Sequence, residues 1–209
     1  MEPAVAARFR PIWLAALAVV ALAGDAAAVP TVNDCAIRPW TTCRGANLSK
    51  ADLERARLGE ADLEGADLSG ANLRGADLVG ANLIDANFKG ADLRDADLTR
   101  AELRRANLQG ADLTGATLED AAIRNANLRN ASLEDADLRG ANLGGSDLQD
   151  TRLGGAKLAG ARLRDANLKG STVSEAVLQG DTWVPGANLE GATWADGRTC
   201  GWGSVGECL

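Results

Sequence analysis

Histidine and tyrosine are absent from this sequence, and methionine occurs once. Lack of histidine removes the side chain most used for proton transfer near neutral pH and the commonest nitrogen ligand for metals. Aromatic residues make up only 3% of a chain that is 46% hydrophobic, so its core has to be built from small aliphatic side chains. Positive charge is in deficit, with 22 Lys and Arg against 29 Asp and Glu, a net charge of −7 and an isoelectric point near 4.7. Such a balance gives no global pull toward nucleic acid phosphates or anionic membranes. Carboxylates are so frequent that chance alone places pairs at glycosidase-like separations, and a pair therefore carries no information. No inserted loops interrupt the central sequence to build a cleft. The expectation is a protein without enzymatic activity, cofactor or metal.

The N-terminus reads as a targeting segment. Arg8 and Arg10 precede an apolar run from Ile12 to Ala23, followed by Gly24-Asp25 and the small-residue site Ala26-Ala27-Ala28, the layout of a secretory signal peptide. The run is shorter than the roughly 20 residues a spanning helix needs, and no cysteine stands where a lipid would be attached. Residues 1–28 are thus expected to be a signal peptide cleaved after Ala28, leaving a periplasmic or secreted chain with no membrane insertion.

What fills the rest is a five-residue period. From Ala46 to Gly180 the sequence divides without interruption into 27 blocks, beginning Ala46-Asn47-Leu48-Ser49-Lys50. The first position is Ala in 24 blocks, Ser146, Thr151 and Ser171 being the exceptions; the third is Leu in 24, Phe88, Ile123 and Val173 being the exceptions. A period of five excludes an α-helix, because at about 100° per residue the Leu row would wander around the whole cylinder. In an extended segment, by contrast, positions one and three point to the same side and position two points away. The fifth position is Gly, Asp or Asn in 21 of the 27 blocks, the residues that best tolerate the backbone angles of tight turns. Each block is one short side and a corner.

The A-(D/N)-L-x-x tandem resembles the signature of the pentapeptide-repeat family over these 135 consecutive residues. The resemblance implies an all-β fold, a right-handed quadrilateral β-helix or β-solenoid. In it four pentapeptides form one square coil, and the central Leu and preceding Ala stack inside. Twenty-seven blocks then give between six and seven coils, a stubby rod roughly 30 Å long at a strand spacing of about 4.8 Å. Stability in such a stack comes from neighbouring coils, so its ends need caps against further strand addition.

Four cysteines lie as two local pairs at opposite ends of the mature chain. A disulfide needs Cα atoms within about 7 Å, which a rod allows for Cys35–Cys43 and Cys200–Cys208 and forbids between the ends. The same separation, with the absence of any Cys-x-x-Cys spacing, argues against a shared zinc site. Residues 29–45 are accordingly expected to be an N-terminal cap, 46–180 the repeat array, and 181–209 a C-terminal continuation and disulfide cap. The repeat slips by one residue at Val184-Pro185-Gly186 and resumes at Ala187. The tail from Trp194 to Cys208 is similar to that of exported bacterial pentapeptide-repeat proteins.

Residues twenty apart should stack on one face. One such row, Asn47, Asp67, Asn87, Asn107, Asn127, Asp147 and Asn167, reads as a ladder of side-chain amides. Another concentrates Arg104, Arg124 and Arg164, with Arg105 and Arg162 beside them. This is a candidate anion- or partner-binding strip; Glu102, Asp85 and Asp165 stand near enough to make it an ordinary solvated face instead. Export, disulfides and a regular surface without reactive groups suggest a scaffold or protein-interaction module. Its partner would be a protein or envelope component, with no nucleic acid, and a rod end offers a surface for dimerisation. The alternative, implied by the family, is a DNA-mimicking modulator of DNA gyrase. A flat binding array of Thr or aromatic residues is missing, as Thr99, Thr114, Thr117 and Thr172 fall on different rows or coils.

Overall fold

The computed structural model describes residues 29–173, 185–194 and 199–201. The expected signal peptide, and Cys208 with most of the Trp-containing tail, lie outside the described residues.

The backbone is a coil of stacked short sides. Each second-position residue bridges in parallel to the one 20 residues on, from Thr42↔Asp62 through Asp147↔Asn167, so one coil consumes four blocks. Four of the five backbone N–H groups of a block are spent on this geometry, as the block starting at Ala46 illustrates. Leu48 donates to the Asp67 carbonyl one coil above at 2.7 Å, and Lys50 to that of Ser69 at 2.8 Å. Asp67 in turn donates to the Ala46 carbonyl at 2.9 Å, and Ala51 closes the corner onto Leu48 at 3.1 Å. Only two or three residues run straight before the next corner, so regular strands are few and two residues long.

At every described fifth position of the array the corner is as expected. From Gly45 to Gly170 each fifth residue has φ between 55° and 71°, including Lys50, Arg55, Arg100 and Arg105, where a Cβ must be tolerated in the left-handed region. With only the second central residue at positive φ, these corners have the sign pattern of type II turns.

The remaining N–H, at position four, explains the polar second position. Ser49 donates to Oδ1 of Asn47 at 3.1 Å, Ser69 to Asp67 at 3.1 Å, and Gln109 to Asn107 at 3.2 Å. Asp and Asn can accept from the backbone two residues on, which satisfies the one donor that the stacking leaves over.

Inside, the third-position Leu residues and first-position Ala residues form one continuous core. Leu63 to Leu148 are fully shielded, as are Phe88 and Ile123 in the same row. At about 1.5–3 kcal/mol for each large side chain buried, this column dominates the stability. Ala46 and Ala51 are only partly buried because they belong to the lowest coil.

The N-terminal end is closed by a hairpin, β1 (Thr31–Val32) paired antiparallel with β2 (Cys35–Ala36). Its two-residue turn, Asn33-Asp34, has positive φ at both positions, as a type I′ turn requires. Cys35 and Cys43 form a disulfide with Cα atoms 5.4 Å apart, and Asn33 Nδ2 donates to the Asn47 carbonyl at 2.6 Å. Thr41-Thr42-Cys43-Arg44-Gly45, read from sequence as cap, already occupies a block of the first coil. Thr41 and Cys43 are buried in the Ala and Leu positions, and Gly45 sits at the corner. The pattern small, polar, apolar, polar, Gly was the available signal.

At the other end β3 (Arg152–Leu153), β4 (Thr172–Val173) and β5 (Thr193–Trp194) pair in parallel. The spacing there rises to 21, as Asn167↔Asn188 and Thr172↔Thr193 show, so the coil absorbs the slipped residue. Thr199 then pairs antiparallel with Thr193, and Cys200, buried and disulfide-bonded, donates its N–H to Ala192 at 2.8 Å. The expected pairing with Cys208 lies outside the described residues.

Candidate functional site

The five arginines of the candidate strip share one face, because their positions repeat at multiples of 20 with offsets of one or two residues. The coil places them together, but their surroundings differ. Arg105 grips Asp85, one coil below, with Nε 2.7 Å from Oδ1 and the second nitrogen on Oδ2. That fork holds the Asp85 carboxyl below the usual carboxylate range and raises the guanidinium above its own. Arg104 Nε lies 3.3 Å from Glu102, and Arg164 Nε 3.3 Å from Asp165. Among the described residues, Arg124 and Arg162 have no carboxylate within ion-pairing distance.

Lower on the same face Arg44 is taken up by Glu64 at 2.7 Å and Asp62 at 3.6 Å. The face therefore runs from acidic near the N-terminal cap to basic in the later coils. Where the unpaired arginines stand, the surface is hollowed into an open depression of about 540 Å³ around Gly144 and Gly145. Arg124, Arg162 and Arg164 line it with Asn142, Asn125 and Asp165. Sequence reading found the arginines and missed the hollow. Its signal was the double glycine Gly144-Gly145, two adjacent positions of one corner without side chains.

The amide row is also present. Asn87 donates to Asp67 and Asn107 to Asn87, both at 3.0 Å, Asn127 to Asn107 at 3.3 Å, and Asn188 to Asn167 at 3.2 Å. These side chains are occupied with one another and with the corners. Elsewhere, Asp92 with Arg94 and Asp137 with Arg139 form ion pairs within a block, each arginine hydrogen bond lowering its carboxyl's pKa. Among the described residues no group of three Cys, Asp or Glu could hold a metal ion, and no helix is long and apolar enough to cross a membrane.

A comparison with curated proteins gives no match. Among solved structures, the chain is similar to HetL, a pentapeptide repeat protein involved in heterocyst differentiation regulation from the cyanobacterium Nostoc. The identity is 30%, with 76% of this chain and 86% of that one covered, at a TM-score of 0.47. It is similar to QnrB1, a plasmid-mediated fluoroquinolone resistance protein, at 20% identity over 78% of this chain and 86% of that one, TM-score 0.43. A pentapeptide repeat protein of the Arabidopsis thaliana thylakoid lumen is 35% identical over 46% of this chain and 64% of that one, TM-score 0.37. The family model for pentapeptide repeats (8 copies) matches residues 46–83, 81–120, 116–155 and 146–180. With the five-residue block, its corners and its Ala and Leu core, that match makes the chain a member of the pentapeptide repeat family.

Proposed function

We propose that this protein is a non-catalytic scaffold or protein-interaction module working outside the cytoplasm. In this reading residues 1–28 are a signal peptide removed after Ala28, 29–40 and 181–209 cap an array that takes in the Thr41–Gly45 block before 46–180, and the coil is right-handed and square in section. The observation that carries it is the uniform use of side chains along the coil. Positions one and three fill the core, position two closes corners and stacks, and many of the surface charges are spent on neighbours within a coil or one coil away. Such a rod presents a large fixed surface, which suits recognition of a protein or envelope component. The Cys35–Cys43 disulfide is in keeping with an oxidising compartment.

The deciding experiment is intact mass, without reductant, of protein from separated cytosolic and extracytoplasmic fractions. An extracytoplasmic form beginning at Val29 with the mass deficit of two disulfides is the expected result. A full-length reduced form confined to the cytosol overturns the reading.

The second reading, a DNA-mimicking modulator of DNA gyrase, draws on the family and on the likeness to QnrB1, described as a fluoroquinolone resistance protein. A duplex mimic needs a continuous acidic surface. The face carrying Arg104, Arg105, Arg124, Arg162 and Arg164 interrupts it, and we place this reading second. A gyrase supercoiling assay with the mature protein tests it directly.

A further inference from the structure

We propose that the hollow over Gly144 and Gly145 is a phosphate-binding site, formed by Arg124, Arg162 and the side-chain amide of Asn142, with Arg164 as its outer wall. Three departures from the repeat coincide here. The first is Ala122, at a second position where most blocks carry Asp or Asn. Elsewhere on this face, and on the one two blocks away, an Asn donates to the residue one coil below: Asn82 to Asp62 at 2.9 Å and Asn72 to Asp52 at 3.0 Å. Asn142 stands over Ala122, which offers no acceptor. Its Oδ1 takes the Gly144 N–H at 3.2 Å, and among the described residues its Nδ2 has no acceptor.

The second departure is Gly144 itself. A Cβ there would lie 3.3 Å from Asn142 Oδ1, 3.5 Å from the Arg164 carbonyl and 3.9 Å from Arg124 Nε, so a side chain at this position would crowd Asn142 and stand against Arg124. The third is Arg162, which replaces the usual Asp or Asn directly above Asn142. Two guanidinium groups without a carboxylate partner among the described residues, and one amide without an acceptor among them, thus border the same hollow.

This is a donor set in want of an oxyanion. Guanidinium forks match the oxygens of phosphate and carboxylate alike, and charge separates the two. With Arg164 set against Asp165, Arg124 and Arg162 leave a local surplus of positive charge among the described residues, better matched by a phosphate group, which carries about −1.5 to −2 at pH 7, than by a single carboxylate. Arg104 and Arg105, already paired with Glu102 and Asp85, lie outside the site.

The test is calorimetric titration of the intact, disulfide-bonded protein with inorganic phosphate, phenyl phosphate and acetate at fixed ionic strength. Saturable phosphate binding, stronger than acetate binding, is expected. Arg124→Gln and Arg162→Gln should each weaken it about tenfold or more, as for loss of a charge-assisted contact. Ala122→Asn, which gives Asn142 its ladder acceptor, should weaken it too, while Lys89→Gln on another face should leave it unchanged. A tighter phenyl ester assigns the site to a phosphoester and a tighter inorganic ion to the free anion; either supports the proposal. Phosphate binding no stronger than acetate, or unaltered in an Arg124→Gln, Arg162→Gln double variant of unchanged melting temperature, overturns it. That failure would leave the scaffold reading intact, since the fractionation result does not depend on this hollow.

Discussion

Asn107 stands one coil above Asn87 with its Nδ2 3.0 Å from the Oδ1 below. The same side chain accepts the Gln109 N–H at 3.2 Å and the Asn127 amide at 3.3 Å. One residue therefore closes a corner and ties three coils together, although it is outside the apolar core.

That double duty sets the ranking of substitutions at this position. Asn107→Ala loses the corner acceptor and both ladder contacts and should cost about 2–3 kcal/mol. Asn107→Asp keeps both acceptor roles but sets a carboxylate against Asn87 Oδ1, and should cost about 1 kcal/mol. Urea denaturation measures both, and an Asn107→Ala protein as stable as the parent would remove the ladder from the stability account.

The inward and outward assignment is tested by a pair of acidic substitutions. Leu113 is fully shielded, and Leu113→Asp should unfold the adjoining coils, a loss of about 4 kcal/mol or more. Gln109→Asp, on the outer surface, should stay within about 0.5 kcal/mol of the parent. Equal tolerance of the two, read by circular dichroism melting, contradicts the packing described above.

Cys35 and Cys43 join the hairpin to the first coil, closing a loop with a sequence separation of 8. Opening it by Cys35→Ser with Cys43→Ser should cost about 2.5 kcal/mol in the chain-entropy account. The released hairpin should also bare the unpaired edge of the first coil, and sedimentation velocity should then show concentration-dependent association. A double variant that remains monomeric and equally stable argues that β1 and β2 hold the edge without the disulfide.

Acid should weaken the rod. The carboxyls of Asp85, Asp92 and Asp137 are held low chiefly by Arg105, Arg94 and Arg139, and that of Asp67 by the Ser69 hydroxyl and N–H. For a carboxyl lowered on folding, the stabilisation is complete above its unfolded value, about 3.9 for Asp, and is lost as pH falls through the folded value. Melting temperature should be flat from neutral pH to about 5 and decline below about 4. Asp137→Asn should flatten that decline, and a variant with the parent's acid profile would rule out a contribution from this pair.

Much of the architecture was legible because the period is short and local. Ala and Leu two apart, with Gly, Asp or Asn at the fifth place, already require a side and a corner, and the left-handed angles at residues such as Asp85 and Asn125 follow from it. Thr41 to Gly45 was read as cap because Cys43 stands where Leu does elsewhere, and a half-cystine is as apolar as that position needs. The hollow was missed because glycine has two meanings in this repeat. At Gly145 it serves a corner with φ of 70°, while at Gly144 no such angle calls for it and its effect is the missing side chain.

The sequence by itself determined the coil, its inward rows, its corners and which residues stack, since each follows from backbone geometry repeated every five residues and every 20. Only the tertiary structure decided which arginine meets a carboxylate: Arg105 on Asp85, Arg104 on Glu102, and neither Arg124 nor Arg162 on any among the described residues. Long side chains choose among rotamers according to what stands one coil above or below, and that choice lies with neighbours distant in the chain.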